Sequence, residues 1–273
     1  MPLSAVIITL NEEENLPRCL QSVRELASEI IVIDSGSSDR TSEVAAHFGA
    51  IFEVRAWQGH VNQKNYALGQ STQPWALCLD ADEALSAELA ASIRQTFING
   101  EPRENGFLIN RRTFYLGDWI RHAWQPEWRL RLVRKAKARW VGPVVHERLE
   151  AEGQIGKLSG DLLHYPFRNL DENLRRWIKY ARLIAEEKVR QKRKFKWYQL
   201  VVYPWLEFFK RLIMKQSWRD GWRGWLIAFG NMMYVFAKYA FVLEKELASR
   251  IGLPVTQESL LPDEALPAEQ APK

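Results

Sequence analysis

Three carboxylates follow an apolar segment in "ALCLDADEAL", residues 76–85: they are Asp80, Asp82 and Glu83. Carboxylates this close repel one another unless positive charge lies among them. Asp80 and Asp82 stand two positions apart after a predicted strand, so both reach one point if the chain bends there. Mg²⁺ or Mn²⁺ would be a suitable counter-charge, since these cations bind oxygen ligands and share them with substrate phosphates. The alternative is that the acids cap a helix beginning near Ser86, where the helix dipole favours negative charge.

Two further polar loops follow predicted strands. "TLNEEENL" places Thr9, Asn11 and Glu12 after the first strand, and "VIDSGSSDRT" places Asp34 and Asp39 around the end of the second. Helix capping or Asx-turn chemistry explains either loop alone. Neither explains why acids stand at the ends of three of the predicted strands, which is where ligands of parallel α/β sheets bind.

The elements that must position these loops alternate between strand and helix over residues 1–98. The predicted strands are "SAVIITL", "EIIVID", "AIFEV" and "PWALCLD", with helical spacing between them. This alternation predicts an α/β fold with a parallel sheet covered on both faces. Residues 99–170 contain irregular strand-like segments and form the second half of the same domain. Residues 171–250 are basic and helical, and residues 251–273 form a proline-rich acidic tail that we predict to be disordered.

The ordered set of motifs "VIITLNEEENLPRCLQSV", "EIIVIDSGSSDRTSEVA", "QKNYAL" and "WALCLDADE" resembles the nucleotide-sugar half of a family 2 glycosyltransferase, which has the GT-A fold. The resemblance covers residues 1–98, which would form the nucleotide-sugar-binding half. It implies that the first two loops hold the uracil and ribose of a UDP-sugar. The residues given that role are Thr9, Asn11, Glu12, Asp34 and Asp39.

The same resemblance assigns the diphosphate and the cation. Lys64 of "QKNYAL" would face the diphosphate as a point charge, although a solvated helix lysine is the alternative. Asp80 would contact the ribose side, and Asp82 would hold Mg²⁺ or Mn²⁺ between the phosphates. His164 of "LLHY" is a further candidate metal ligand, with a hydrogen-bonded core histidine as the alternative. The cation would neutralise the departing UDP as a Lewis acid.

The acceptor half would carry the catalytic base. Family 2 enzymes are generally inverting, so a side chain must take the proton from the attacking hydroxyl, and Glu147 with His146 beside it is the candidate. The motifs "EWRLRLVRK", "WVGPVVHE" and "LLHYPF" resemble the lipopolysaccharide-core glucosyltransferase branch of the family. This implies UDP-glucose as donor and a lipid-linked inner-core heptose as acceptor. Arg129 and Arg131 either meet an acceptor phosphate or form the solvated face of a half-buried strand.

Charge is distributed unevenly along the chain. Residues 175–223 contain fifteen lysine and arginine residues against four acidic ones, whereas the whole chain carries a net charge of only +5. Apolar residues at helical spacing predict an amphipathic helix with basic edges, suited to an anionic membrane surface. They are Trp205, Leu206, Phe208, Phe209, Leu212 and Ile213. The acidic remainder of the chain and the lack of an RNA-binding motif argue against a nucleic-acid partner.

The stretch at residues 225–243 has nearly the length of a membrane span, but Asn231 and Lys238 would be costly in lipid. We therefore expect this segment to lie in the membrane interface or to pack on the domain. The protein would be cytoplasmic and peripheral at the inner face of the cytoplasmic membrane. Two widely separated cysteines, Cys19 and Cys78, form no disulfide framework and fit a reducing compartment.

Two alternatives from other functional classes have the same strand-end acids. A receiver-type phosphoacceptor domain is one, but it needs an acidic pair directly after the first strand, where "TLNEEE" has Asn11. The other is a membrane-bound scaffold with an inactive nucleotide pocket. Undetectable UDP release with every donor would support the scaffold.

Overall fold

A computed structural model of the chain describes residues 1–142, 147–192 and 194–252. His146 and residues 253–273 of the predicted tail lie outside the described residues, while Ile251, the first residue of that predicted tail, is helical. The described chain forms two compact units. Unit 1 comprises residues 1–112 and 126–165, and unit 2 comprises residues 113–125 and 166–252.

The strands are β1 Leu3–Thr9, β2 Glu29–Asp34, β3 Ile51–Val54, β4 Trp75–Asp80, β5 Glu83–Leu85, β6 Gly106–Tyr115, β7 Asp118–Trp119, β8 Trp128–Arg134, β9 Ala138–Val141, β10 Arg148–Ala151 and β11 Ile155–His164. The helices are α1 Leu16–Val23, α2 Thr41–His47, α3 His60–Gln70, α4 Ala87–Thr96, α5 Leu170–Arg190, α6 Trp197–Phe209 and α7 Gly221–Ile251.

The main sheet has parallel strands in the order β3-β2-β1-β4. Thr9 lies opposite Asp34, and Ile8 lies opposite Asp80, so the carboxyl ends of β1, β2 and β4 are level with one another. This is the arrangement that the strand-end acids predict. A receiver domain has the strand order 2-1-3-4-5 instead, so the receiver alternative is wrong.

The sheet continues beyond β4 with β8, β6, β11 and β5. Strand β8 is antiparallel to both β4 and β6, and β11 is antiparallel to β5, so the sheet is mixed. Gly160 has φ +87° and a Cβ at this position would lie 2.3 Å from the backbone nitrogen of Leu89. The lack of a side chain therefore lets β11 pass close to the start of α4.

The core of unit 1 lies on both faces of its sheet. Leu3, Ala5 and Ile7 point to a fully buried cluster that includes residues of α1 and α4. Val6 points to the opposite face and joins a second cluster with residues of α3. Strands buried on both faces read as continuous apolar runs, which is why "SAVIITL" and "WALCLD" are recognisable in the sequence.

Unit 2 is helical. Its small core contains Tyr115, Ile120, Ala123 and Ile227, with Tyr115 donating a hydrogen bond of 2.9 Å to Asn173 on α5. Asp220, just before α7, accepts hydrogen bonds from the backbone nitrogens of residues 121–123. These contacts attach the segment 113–125 to the helices, so that it forms part of unit 2.

Candidate active site

The loops after β1 and β2 bind each other through short hydrogen bonds. Buried Asp34 accepts from the backbone nitrogens of Gly36 at 2.8 Å and Ser37 at 2.7 Å. Asn11 has φ +51°, a left-handed conformation that asparagine tolerates better than most residues. Its backbone nitrogen donates to Ser37 Oγ at 2.7 Å, and its side-chain oxygen accepts from the Ser38 nitrogen at 2.7 Å. Asp34 and Asn11 therefore fix the shape of both loops.

A second set of bonds joins the starts of α1 and α2. The Glu12 nitrogen donates to Thr41 Oγ1 at 2.9 Å, and Asp39 accepts from the backbone nitrogens of Glu13 at 3.1 Å and Thr41 at 2.9 Å. Burial raises the pKa of Asp39, but hydrogen bonds from Thr41 and Glu13 outweigh it and lower the pKa. The buried Thr9 hydroxyl, by contrast, has no hydrogen-bond partner within the described part of the chain. A bound polar group could satisfy it.

Asp80 has two protein counter-charges. Its Oδ1 lies 2.8 Å from Lys64 Nζ, and its Oδ2 lies 2.9 Å from the Arg131 guanidinium. Burial acts to raise the pKa of Asp80, but Lys64 and Arg131 outweigh it and hold the pKa well below the usual range. The alternative that these acids cap the next helix is wrong, because Ser86 caps α4 with its own side chain, accepting from the Leu89 nitrogen at 3.1 Å.

Glu83 is fully buried and organises two arginines. Its Oε1 lies 2.6 Å from Arg131 and 3.4 Å from Arg111, and its Oε2 accepts from the Asp80 nitrogen at 3.0 Å. Arg111 also binds Glu127 at 2.6 Å. A solvated strand face is therefore wrong for Arg131, whose side chain is only 5% exposed. These bonds lock the chain around Asp80 into one conformation.

Arg129 occupies a different environment from Arg131. Its side chain is 44% exposed and lies 2.7 Å from Glu127. The predicted alternation of these two arginines with leucines does not appear in the burial along β8, which is exposed at its start and buried from Arg131 to Val133.

Lys64 lies on α3 between two acids. Its Nζ is 3.2 Å from Glu147 Oε1 as well as 2.8 Å from Asp80, and it lies 4.5 Å from the centre of the Trp140 ring. The lysine side chain is only 7% exposed, so the solvated-lysine alternative is wrong. An ammonium has three N–H donors, so one more acceptor can bind Lys64 beside the two carboxylates.

Asp82 and His164 lie in contact although they are 82 positions apart in the sequence. Asp82 Oδ2 lies 3.3 Å from His164 Nε2, and the Asp82 carbonyl accepts from the Tyr165 nitrogen at 2.9 Å. A carboxylate and an imidazole at this distance fit a single Mg²⁺ or Mn²⁺ ion that takes its other ligands from a substrate or water. Among residues 1–142, 147–192 and 194–252, no group of three or more His, Cys, Asp and Glu side chains could hold a metal ion.

Four residues of this cluster have no role in the sequence-based assignment: Glu83, Arg111, Glu127 and Trp140. Glu83 belongs to the opening motif, but its type gave no sign of a buried arginine partner. "NRRT" and "PEWRLRLVRK" contain Arg111 and Glu127, but ordinary solvated strands contain such runs too. Only the placement of β6 beside β8 brings Arg111 to Glu83. In "WRLRLVR", the position of Arg131 between two leucines could have indicated that this arginine has a buried partner, but not which residue that partner is.

The parallel strands with polar ends, followed by antiparallel strands beside them, define an α/β domain of the GT-A type. A sequence model described as "Glycosyl transferase family 2" matches residues 4–148. The chain belongs to this family and is a glycosyltransferase. The predicted fold class and enzyme class are confirmed.

Known proteins resemble the chain over most of its length. It is 32% identical over 257 residues to the lipopolysaccharide core biosynthesis glycosyltransferase LpsC of Rhizobium meliloti, covering 90% of this chain and 93% of LpsC. An uncharacterized glycosyltransferase of Rickettsia typhi is 28% identical, with coverages of 91% and 89%. The structure of S. aureus TarS 1-349 with UDP-GlcNAc aligns over 93% of both chains, with 15% identity and a TM-score of 0.45. The family assignment rests on the sequence matches, because this structural likeness is weak.

Proposed function

We propose that the protein is a metal-dependent, inverting glycosyltransferase that moves a hexose onto a lipid-linked saccharide. The proposed donor is UDP-glucose, and the proposed acceptor is the inner-core heptose of lipopolysaccharide. Family membership supports the reaction class, and the likeness to an enzyme named for lipopolysaccharide core biosynthesis supports the acceptor class. The observation that carries the proposal is that Asp82 lies against His164, two positions after Asp80, which binds Lys64 at the end of a strand level with β1.

The uridine of the donor would bind to the loops after β1 and β2. Asp34, Asn11 and Asp39 give these loops a fixed shape, so little entropy is lost on binding. The buried, unpaired hydroxyl of Thr9 supports a polar ligand there. Glu12 lies in the loop after β1 and would be a further residue that binds the uridine.

Lys64 would bind the diphosphate, with Asp80 on the ribose side. In the described structure Lys64 also holds Glu147 at 3.2 Å. When a diphosphate binds Lys64, the ion pair between Lys64 and Glu147 weakens. The Glu147 carboxylate is then available as a base. Glu147 then takes the proton of the acceptor hydroxyl while that oxygen bonds to the anomeric carbon. The bond from this carbon to the diphosphate oxygen breaks, and UDP leaves with the electron pair.

Asp82 and His164 would hold the Mg²⁺ or Mn²⁺ ion. When bound there, the cation supplies positive charge that stabilises the departing diphosphate. Glu83 and Arg131 position Asp80 next to this pair. Arg129, which is partly exposed, would meet a phosphate of the acceptor, while Arg131 would act through the acids that it binds.

The acceptor implies a place of action. A lipid-linked saccharide is held at a bilayer, so we place the enzyme peripherally at the cytoplasmic face of the inner membrane, in contact with its anionic surface. The basic and aromatic character of residues 175–223 supports this place. Nucleic acid is not proposed as a partner.

A donor screen tests the proposal. UDP-glucose should raise the melting temperature more with Mn²⁺ than with EDTA, and more than UDP-galactose or UDP-GlcNAc. UDP release should then follow when lipopolysaccharide ending in inner-core heptose is added. Release only with a different envelope glycan would favour the alternative of another cell-envelope acceptor. Undetectable release with every donor would favour a scaffold with an inactive pocket.

A further inference from the structure

One face of α7 is apolar and exposed. Along this helix the exposed apolar residues fall three or four positions apart, which places them on a single stripe. They are Trp222, Trp225, Phe229, Met233 and Phe236, each at least 44% exposed. The buried residues of α7 include Ile227, Ala228, Val235, Tyr239 and Val242. The helix therefore has one face packed in the protein and another that lacks a protein cover within the described chain.

Helix α6 extends the same surface. Phe208 of α6 lies 4.8 Å from Phe229 and 6.3 Å from Trp225, between ring centres. Next to it, Phe209 lies 6.3 Å from Trp205 and stacks on it. Trp205, Leu206 and Phe209 are 49–58% exposed. We call these three residues, together with the exposed stripe of α7, the aromatic face.

The opposite side of α7 packs against a charged helix. Ten of the twenty-one residues of α5 are Asp, Glu, Lys or Arg. The two helices touch along their length: the ring of Trp177 lies against Gly230, Arg182 lies over Phe241 at 5.0 Å, and Lys245 binds Glu186 at 3.0 Å. Part of the α5 surface is fully solvated, as the Arg175–Asp171 pair is 75% and 71% exposed. Wherever α7 lies, α5 must lie beside it.

The packing of α5 against α7 limits the ways in which α7 can bind a bilayer. By length and composition alone, the 35-residue segment Ser217–Ile251 could cross a membrane, since it contains an 18-residue window with a mean hydropathy of 1.5. A crossing α7 would carry the exposed charges of α5 into the hydrocarbon, where each is strongly unfavourable. A helix lying in the interface buries only its apolar face and leaves the charged side in water.

Basic side chains stand at both ends of α6. Lys192, Lys194 and Lys196 are exposed before it, and Lys210 and Lys215 are exposed after its last turn. Both groups can reach the headgroups of one leaflet only if α6 lies along the membrane plane. Anionic headgroups complement this charge, which makes a bilayer a better occupant of the aromatic face than a second copy with the same charge.

We propose that unit 2 binds an anionic bilayer as a monotopic hairpin, with α6 and α7 in the plane of one leaflet and α5 on the aqueous side. The aromatic face enters the boundary between headgroups and acyl chains. This inference deepens the proposed function, since it gives the form of the membrane contact. It is independent of the donor and of the metal.

Cysteine accessibility distinguishes the two orientations. Single cysteines are introduced by Lys215→Cys and Arg250→Cys, which flank most of α7 and replace exposed residues. The parent chain is the control, because its Cys19 and Cys78 are buried. With a membrane-impermeant maleimide, both introduced thiols should react in inside-out inner-membrane vesicles, and neither should react in intact right-side-out ones. Labelling of the two positions from opposite sides would overturn the proposal.

Vesicle flotation tests the face itself with the purified full chain. The double variant Trp205→Ser, Phe209→Ser should bind vesicles of phosphatidylglycerol and phosphatidylethanolamine about tenfold or more weakly. The matched control is Ile98→Ser, which removes an apolar side chain that is 66% exposed in unit 1, and it should bind like wild type. Equal vesicle binding by wild type, the double variant and Ile98→Ser would overturn the proposal. A wild-type dimer that does not bind vesicles would overturn it too. Donor turnover is measured in parallel: loss of turnover with normal flotation counts against the proposed function alone.

Discussion

Lys64 Nζ on α3 lies 2.8 Å from Asp80 Oδ1 at the end of β4, so a protein cation balances the first acid of the "DADE" motif. Arg131 binds the other oxygen of the same carboxylate at 2.9 Å. Asp82 instead lies beside His164, in an arrangement that fits a metal ion. The three acids thus divide between a buried ion network and a candidate metal pair, which leads to separate predictions for each.

The first prediction concerns the base. Glu147→Gln should keep UDP binding within about twofold, because the amide remains near Lys64, and should lower kcat by about 10²–10⁴. UDP affinity is measured by calorimetry and kcat by UDP release. Glu150→Gln, a substitution on the neighbouring strand at a side chain that is 43% exposed, should leave both unchanged. Turnover that survives Glu147→Gln would exclude this residue as the base.

The second prediction concerns the buried acid. Glu83→Gln leaves Arg131 and Arg111 with less counter-charge in a buried site, so it should lower the free energy of unfolding by about 3–5 kcal/mol. Urea denaturation measures this change. Glu25→Gln removes an exposed ion pair with Arg94 and should change stability by about 0–1 kcal/mol. Similar losses in both variants would contradict the network.

The third prediction concerns helix packing in unit 2. Gly230→Ala would place a Cβ 1.9 Å from the ring of Trp177, so α5 and α7 must separate. We expect a loss of about 1–3 kcal/mol, with faster hydrogen exchange in both helices. Gly69→Ala in α3 meets nothing within 4 Å and should be neutral or stabilising. Unchanged exchange in the Gly230→Ala variant would contradict this packing.

The fourth prediction concerns the stability of the fold at low pH. Burial acts to raise the pKa of Glu127, but Arg111 and Arg129 outweigh it and lower the pKa, and the pKa of Asp80 is lowered as well. A folded-state pKa below the unfolded value stabilises the fold above the unfolded pKa, and this stability is lost as the pH falls further. The free energy of unfolding should therefore decline below about pH 4.5. Glu127→Gln should make this decline shallower, and a free energy of unfolding that rises on acidification would contradict the assignment.

The first half of the fold follows closely from the sequence. Strands β1, β2 and β4 are buried on both faces, so they appear as continuous apolar runs, and their polar ends stand level in the sheet as predicted. The resemblance to a family, rather than any spacing, predicts that Asp82 and His164 bind one metal ion; the two side chains lie in contact, and their metal role stays a prediction.

Other features depend on contacts that a linear pattern does not contain. The burial of Lys64 follows from Glu147 and Trp140, which approach α3 only through the second half of the domain. The network of Arg111, Glu83 and Arg131 needs the antiparallel order of β6 and β8. Hydropathy alone leaves open how α7 meets a membrane, because the charged neighbour α5 is invisible to a window that moves along one helix.

The central claim is that Asp82 and His164 hold a cation that the nucleotide diphosphate shares. Calorimetric titration of UDP, with Mn²⁺ and with EDTA, tests this claim most directly. Wild type should bind UDP about tenfold or more tightly with Mn²⁺, and Asp82→Asn should lose that difference while keeping the EDTA affinity. Asp171→Asn, at an exposed position of α5, should behave like wild type. Equal UDP affinity of wild type in Mn²⁺ and in EDTA would contradict the account.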